Sequence, residues 1–167
     1  MLGFLVSFLP WILYGVIANT GFVRDELAAV IALLCVLILD FKRLKKGYVL
    51  EWGTVIYFAT LLIAYCFPIR ALLAGHAMTF ANVALAAIMW LSIAIRKPFT
   101  IQYAKETVPA ELWNKPGFVR VNDIISAVWA VAVTIGIFTP TWVGVVALLL
   151  AIKFTRWFPG WYQASKR

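Results

Sequence analysis

The sequence is poor in charged residues. Only 13% of its 167 residues are charged, about half of the roughly 25% usual in globular chains, whereas 64% are hydrophobic. A soluble domain of this length has too small an interior to bury so much apolar surface. The composition therefore excludes an ordinary soluble domain and favours a membrane protein, since lipid solvates apolar outer faces.

Cysteine and histidine are also scarce. The two cysteines, Cys35 and Cys66, lie in apolar runs without CxxC or metal-ligand spacing, so we expect buried, inert thiols. The one histidine, His76, cannot form a site alone. Because no catalytic or cofactor motif is present, the sequence predicts no catalytic residue, no metal and no cofactor, and the protein is predicted not to be an enzyme.

The net charge of +8 does not indicate a nucleic-acid partner. The basic residues lie between long apolar runs and form no recognised nucleic-acid motif. We therefore interpret them as topology signals, and predict membrane lipids and other envelope proteins as partners. The oligomeric state stays open.

Long apolar runs divide the chain into six segments. A spanning helix needs about 20 mainly apolar residues. The charge-free run 124–152 is too long for one helix, and the turn around Pro140 divides it. The apolar N-terminus lacks a basic n-region and a cleavage site, so we expect a retained helix. The predicted segments lie near 2–20, 22–41, 52–68, 77–95, 123–138 and 142–159.

The distribution of basic residues supports six crossings. If all six segments cross, thirteen of the fifteen Lys and Arg residues lie on one side, and only Arg24 and Arg70 lie on the other. The positive-inside rule places the basic side, with both termini, in the cytoplasm. The sequence thus predicts an all-α polytopic protein of the bacterial inner membrane, with residues 1–167 forming a single integral membrane domain, a six-helix transmembrane bundle.

The longest polar loop, from Arg96 to Asp123, has two interpretations. We predict a short interfacial helix over 98–107 and a second turn before Pro116, with Phe99 and other aromatic residues at the membrane surface. The loop either binds anionic lipid head groups or a protein partner, or it only sets topology and anchors the chain. The candidate binding residues are Arg96, Lys97, Gln102 and Trp113.

Few polar groups are predicted inside the membrane, and no buried carboxylate pair is expected. Asp40 ends an apolar run, where it either takes a proton or pairs with a cationic substrate, or lies at the interface beside Lys42 and Arg43. The other polar candidates either line a cavity or make interhelical hydrogen bonds. They are Asn19, Asn82, Asn122 and Ser126. Ser126, Ala130 and Thr134 also form a small-residue face that permits close helix packing.

The order of these features resembles the bacterial intracellular septation protein A family, inner-membrane proteins of similar length. The resemblance covers most of the chain. Its anchors are Phe8-Leu9-Pro10, the loop Lys42 to Lys46 with Glu51-Trp52, Lys97-Pro98 with Gln102, Pro109 and Trp113, and Asn122 with Trp129. The chain departs from the family in the wider spacing of Asn122 and Trp129 and in the additional stretch Lys115 to Phe118.

The resemblance implies a role in cell division and envelope integrity without a defined enzymatic activity. Three hypotheses follow. The first is a non-enzymatic membrane scaffold, which the expected lack of buried charge favours. The second is a small transporter or lipid-handling protein for an uncharged or apolar cargo, which a polar cavity would favour. The third is a membrane enzyme that uses Glu51, Glu106, Glu111 or Asp123, although these form no known motif.

Overall fold

Every secondary-structure element in the computed structural model is helical, as predicted, and the structure describes residues 2–20, 24–69, 73 and 76–165. A 3₁₀ turn, Ala110–Leu112, precedes the last two helices. The α-helices are α1 (Leu2–Val6), α2 (Leu9–Thr20), α3 (Asp25–Leu39), α4 (Phe41–Lys45), α5 (Val49–Tyr65), α6 (Ala77–Ala94), α7 (Phe99–Ala104), α8 (Pro116–Phe138) and α9 (Thr141–Ala164).

Three of the described helices are long and apolar enough to cross a membrane: α6, α8 and α9. The other three predicted segments are helical but shorter. With 15 and 17 residues, α3 and α5 extend about 22 and 25 Å, against about 30 Å for a hydrocarbon core. The structure thus confirms the helical character of all six segments, but a membrane-spanning length for only three of them.

Prolines explain the helix boundaries. Pro10 cannot donate a backbone hydrogen bond and its ring crowds the preceding turn, so the first segment breaks at residues 7 and 8. Pro140 separates α8 from α9, as predicted. Pro116 is the first residue of α8, a position that proline favours. The fifth segment therefore begins at 116 and not near 123, because the proline that was expected to follow a turn instead starts the helix.

The backbone forms two compact units, residues 1–85 and 86–167. In the first unit, α3 packs against both α2 and α5. The face of α3 that is buried carries Ala28, Ala32 and Val36, spaced by four residues. Small side chains at this spacing let neighbouring helices approach closely.

In the second unit, α8 and α9 form an antiparallel hairpin. The Trp129 indole N–H donates to Thr155 Oγ1 at 2.9 Å. Nearer the turn, a Cβ atom added at Gly144 would lie 3.2 Å from the Cα of Gly136. The two backbones therefore approach closely beside the turn, where glycine leaves room.

The predicted interfacial helix is shorter than expected and is held by the rest of its unit. It spans Phe99–Ala104 and packs against α8. Phe99 is fully buried, and its backbone N–H donates to Ser92 Oγ at 3.2 Å. The expectation that Phe99 lies at the membrane surface is wrong, because the Ser92 contact turns this end of α7 into the core.

Candidate functional site

A cluster of buried polar side chains lies in the first unit, where α2, α3 and α5 each begin or end. The break before Pro10 leaves Ser7 in a turn between α1 and α2. Asp40 links α3 to α4, and Glu51 lies in the first turn of α5. We call Ser7, Asp40, Arg43 and Glu51 the acid–arginine cluster.

Ser7 connects the two carboxylates of this cluster. Its hydroxyl lies 2.9 Å from Glu51 Oε1 and 3.4 Å from Asp40 Oδ1. Both acidic residues are only 1% exposed. The expectation that no carboxylate pair is buried is therefore wrong. Each acid stands at the end of an apolar run, where a charge normally reaches water, but three helix ends meet here and bury both acids.

Arg43 supplies the positive charge. Its Nη1 atom lies 2.7 Å from Asp40 Oδ1 and 3.3 Å from Ser7 Oγ. The Asp40 side chain is fully buried, whereas Arg43 retains 15% exposure. Asp40 therefore lies beside Arg43, as one interpretation of the sequence required, but in the packed interior and not at an exposed interface.

The electrostatic balance of the cluster is unusual for an apolar environment. Two carboxylates and one guanidinium carry a net charge of −1 when all three are ionised. Among the described residues, Asp40 Oδ2 is buried and accepts no hydrogen bond. Desolvated charges cost several kcal/mol each in real proteins, and removing one partner of such a pair is strongly destabilising. The arrangement fixes three helix ends together and leaves ionisable groups buried between them.

Further polar pairs follow the acid–arginine cluster along α2 and α5. The Trp11 indole donates to Thr54 Oγ1 at 2.9 Å, and the hydroxyls of Tyr14 and Tyr65 lie 3.3 Å apart. The paired positions increase together along both helices, so α2 and α5 are parallel. Since Asp40, at the end of α3, lies beside Ser7, just before α2, α3 runs antiparallel to both α2 and α5.

The second unit uses its polar groups for helix packing. Thr100 Oγ1 lies 2.7 Å from Ser126 Oγ and donates to the backbone carbonyl of Asn122 at 2.9 Å. The Asn122 side chain donates to Phe118 O within its own helix. Ser126 is fully buried, so for this residue the structure supports the packing interpretation over the cavity.

The small-residue face of α8 packs within its own unit. Ser126 contacts α7, and Thr134 Oγ1 accepts a hydrogen bond from the Trp90 indole of α6 at 3.2 Å. Of the remaining intramembrane candidates, Asn82 is half-buried in α6, and the Asn19 side chain lies outside the described residues.

The four loop candidates do not form one surface cluster. Arg96 and Lys97 are exposed after α6, whereas Gln102 is half-buried in α7. The Trp113 indole donates to Val108 O at 2.9 Å, and Lys105 Nζ lies 5.2 Å from its ring centre. The Trp113 side chain thus bonds within its own loop. Of the four candidates, Arg96 and Lys97 are the two that are exposed.

Arg96 has a backbone conformation that arginine rarely adopts. Its φ is +56°, in the left-handed region. Lys97 N–H donates to Ser92 O, and Arg96 N–H donates to Ile93 O, both at 2.9 Å. This pattern is a Schellman motif, which usually places glycine at the position of Arg96.

In the part of the chain that the structure describes, no group of three or more His, Cys, Asp or Glu side chains is placed to hold a metal ion. The cysteines are both free. Cys35 is half-buried and Cys66 is exposed, so the prediction of burial is wrong for Cys66, whose apolar run ends at a turn.

The sequence predicts only part of the acid–arginine cluster. The sequence indicates Asp40 as an intramembrane candidate and Glu51 as a family anchor and a candidate enzymatic acid, but it does not indicate Ser7. The signal that could have identified Ser7 is Pro10, because proline interrupts helical hydrogen bonding and leaves the preceding residues in a turn.

No family model, no curated protein and no solved structure matches the chain.

Proposed function

We propose that this chain is a polytopic protein of the bacterial inner membrane that serves as a non-enzymatic scaffold of the cell envelope. The outward faces of its helices support membrane insertion. Phe138, Trp142 and Leu150 are 82%, 70% and 61% exposed, and they belong to the long apolar helices α8 and α9. An apolar surface of this kind marks a membrane or protein contact.

The proposed topology has six crossings with both termini in the cytoplasm. The parallel arrangement of α2 and α5 supports three crossings in the first unit, although α3 and α5 are short. A short span is accommodated by local thinning of the bilayer and by flanking residues that reach the interface. Lys42, Lys45 and Lys46 are exposed beyond the end of α3, as expected for such anchors.

The main support for the scaffold proposal is that polar side chains form hydrogen bonds between helices. The contacts of Trp11 with Thr54, Thr100 with Ser126, and Trp129 with Thr155 each connect two helices. Hydrogen bonds of this kind contribute about 0.6 kcal/mol each on average in membrane proteins. Each of these bonds joins helices within one unit, and the exposed Arg96 and Lys97 remain for an envelope partner.

The acid–arginine cluster favours a second candidate, a small transporter. Ionisable residues inside a membrane protein mark ion or substrate pathways by default. The expectation of no buried charge, which had supported the scaffold, does not hold for Asp40 and Glu51. The cargo proposed from the sequence is uncharged or apolar, whereas the buried charged groups of this cluster favour a pathway for ions.

Complementation distinguishes the two candidates. The gene is deleted from its source bacterium, and cell length and detergent sensitivity are compared after expression of wild type, Asp40→Asn and Glu51→Gln. Both substitutions keep the shape of the side chain and remove its ionisable carboxylate. The scaffold proposal predicts that each variant that melts like wild type restores both properties.

Failure of a normally melting Asp40→Asn or Glu51→Gln variant would contradict the scaffold and favour the transporter. The double variant Arg96→Ala with Lys97→Ala tests the proposed contact with an envelope partner. It is expected to melt normally and to fail in complementation. Cell length is measured because the resemblance to the septation family implies a role in cell division. An unchanged cell length and detergent sensitivity after deletion would contradict the proposed envelope role.

A further inference from the structure

A groove between α8 and α9 combines an apolar lining with a lysine. Its volume is about 540 Å³, within the range of small-molecule sites. Val128 and Ile135 of α8 and Ala147 and Leu150 of α9 belong to its lining. Lys153 also lines the groove, and Trp157 follows one turn later.

The groove has an apolar end and a basic end. Since α8 and α9 are antiparallel, Ile135 and Ala147 lie toward the interhelical turn, whereas Val128, Lys153 and Trp157 lie toward the other end. Arg156 is exposed next to this second end. A long lysine extends its ammonium toward the interface, and tryptophan prefers the depth of the head groups. The apolar end of the groove suits an acyl chain, and the basic end suits a negatively charged head group.

We propose that this groove binds one anionic phospholipid, with an acyl chain between α8 and α9 and its phosphate at Lys153. The inference rests on the proposed location in a membrane and goes beyond the scaffold role. Among the described residues, Lys153 takes part in no ion pair, so its charge is available to a ligand. Near an anionic membrane surface, each such residue contributes about 1 kcal/mol to binding.

The same charge argues against a second copy of the chain as the occupant. A symmetric dimer buries the same patch from both partners. A pair formed across this face would bring Lys153 and Arg156 of both copies to the same interface, where like charges repel. A phosphate compensates this charge, and a flexible acyl chain fits an open apolar groove.

Native mass spectrometry of the purified protein tests the proposal. The detergent-solubilised protein is titrated with phosphatidylglycerol or phosphatidylcholine of identical acyl chains. We expect one phosphatidylglycerol to be retained in preference to phosphatidylcholine. Lys153→Met should lower this retention about fivefold, whereas Lys153→Arg should preserve it. Lys46→Met, which removes an exposed lysine of the first unit, is the matched control and should leave retention unchanged.

A second variant tests the groove without altering its charge. Ala147→Trp fills the apolar end and should abolish retention even though Lys153 is intact. Equal retention by wild type, Lys153→Met and Ala147→Trp would overturn the proposal. So would a lipid-free dimer that Ala147→Trp dissociates, because it would identify a second copy as the occupant.

The membrane location itself is checked by alkaline carbonate extraction of cell membranes. Release of the wild-type protein into the soluble fraction would contradict the proposed membrane function. A protein that stays in the membrane but shows no lipid selectivity would overturn the groove proposal alone.

Discussion

Ser7 and Glu51 are 44 positions apart in the sequence, and the Ser7 hydroxyl donates to Glu51 Oε1 at 2.9 Å. This bond fastens the turn before α2 to the first turn of α5. The same hydroxyl lies within 3.4 Å of both Asp40 Oδ1 and Arg43 Nη1. Four side chains thus meet at the end of the first unit that also carries the exposed lysines.

Breaking the ion pair of the acid–arginine cluster should be costly. Asp40→Ala leaves Arg43 without the carboxylate at 2.7 Å, and we expect a loss of about 3–5 kcal/mol. The measurement is the midpoint of thermal or denaturant unfolding in detergent. The matched variant combines Asp40→Met with Arg43→Met, which removes both charges and should be much closer to wild type. A single variant as stable as wild type would show that the pair is solvated.

The hydrogen bond between Trp11 and Thr54 should contribute modestly to stability. Trp11→Phe and Thr54→Val each remove one partner and keep most of the packing volume. A double-mutant cycle should give a coupling energy of about 0.6 kcal/mol, and not above about 2 kcal/mol. The energies come from unfolding in mixed micelles. Strictly additive effects would mean that the 2.9 Å contact makes no net contribution.

Gly144 should not tolerate even a methyl group. Its added Cβ would lie 3.2 Å from the backbone Cα atom of Gly136, so one of the two backbones would have to shift by a few tenths of an ångström. We expect Gly144→Ala to cost about 1–3 kcal/mol. Gly160→Ala is the matched control on the same helix, because nothing lies within 4 Å of its added Cβ. The control should be neutral or stabilising, as alanine favours helix. Equal effects of both substitutions on the melting temperature would refute the close approach.

Arg96 and Gly47 form a second matched pair. Both have positive φ, +56° and +72°, at the end of a helix. Tyr48 N–H donates to Arg43 O, and Gly47 N–H donates to Leu44 O, so α4 ends in the same motif as α6. We expect Arg96→Gly to stabilise the protein by about 1 kcal/mol and Gly47→Ala to destabilise it by a similar amount.

The two effects on the unfolding midpoint must have opposite signs if the backbone conformation is the cause. Destabilisation by Arg96→Gly would instead show that the arginine side chain stabilises the fold. If Arg96→Gly is more stable but fails to complement the deletion, the arginine is retained for its charge, at a conformational cost.

The six long helical segments were predictable because each follows from a mainly apolar run. Pro140 located the turn between α8 and α9, since proline ends hydrogen bonding in a helix whatever surrounds it. Pro116 was misjudged because proline suits both the residue after a turn and the first residue of a helix, and the local sequence is the same in both cases. Only the packing of the loop decides between the two.

The candidate site was less predictable because it depends on contacts between distant segments. Asp40 and Glu51 each stand at the end of an apolar run, where a charge normally reaches water. Their burial results from the meeting of three helix ends, which the hydrophobic pattern of single segments does not encode. Ser126 was easier to interpret, since a small polar residue on a small-residue face commonly bonds across a helix interface.

The most direct test of the proposed architecture is cysteine labelling of membranes with an impermeant maleimide. In a background with Cys35→Ala and Cys66→Ala, single cysteines replace Lys46, Lys115 or Thr139. Six crossings predict that the cysteines at positions 46 and 115 react only from the cytoplasmic side, and the cysteine at 139 only from the exterior. If only α6, α8 and α9 cross, positions 46 and 115 must label from opposite sides, and that result would contradict the six-crossing account.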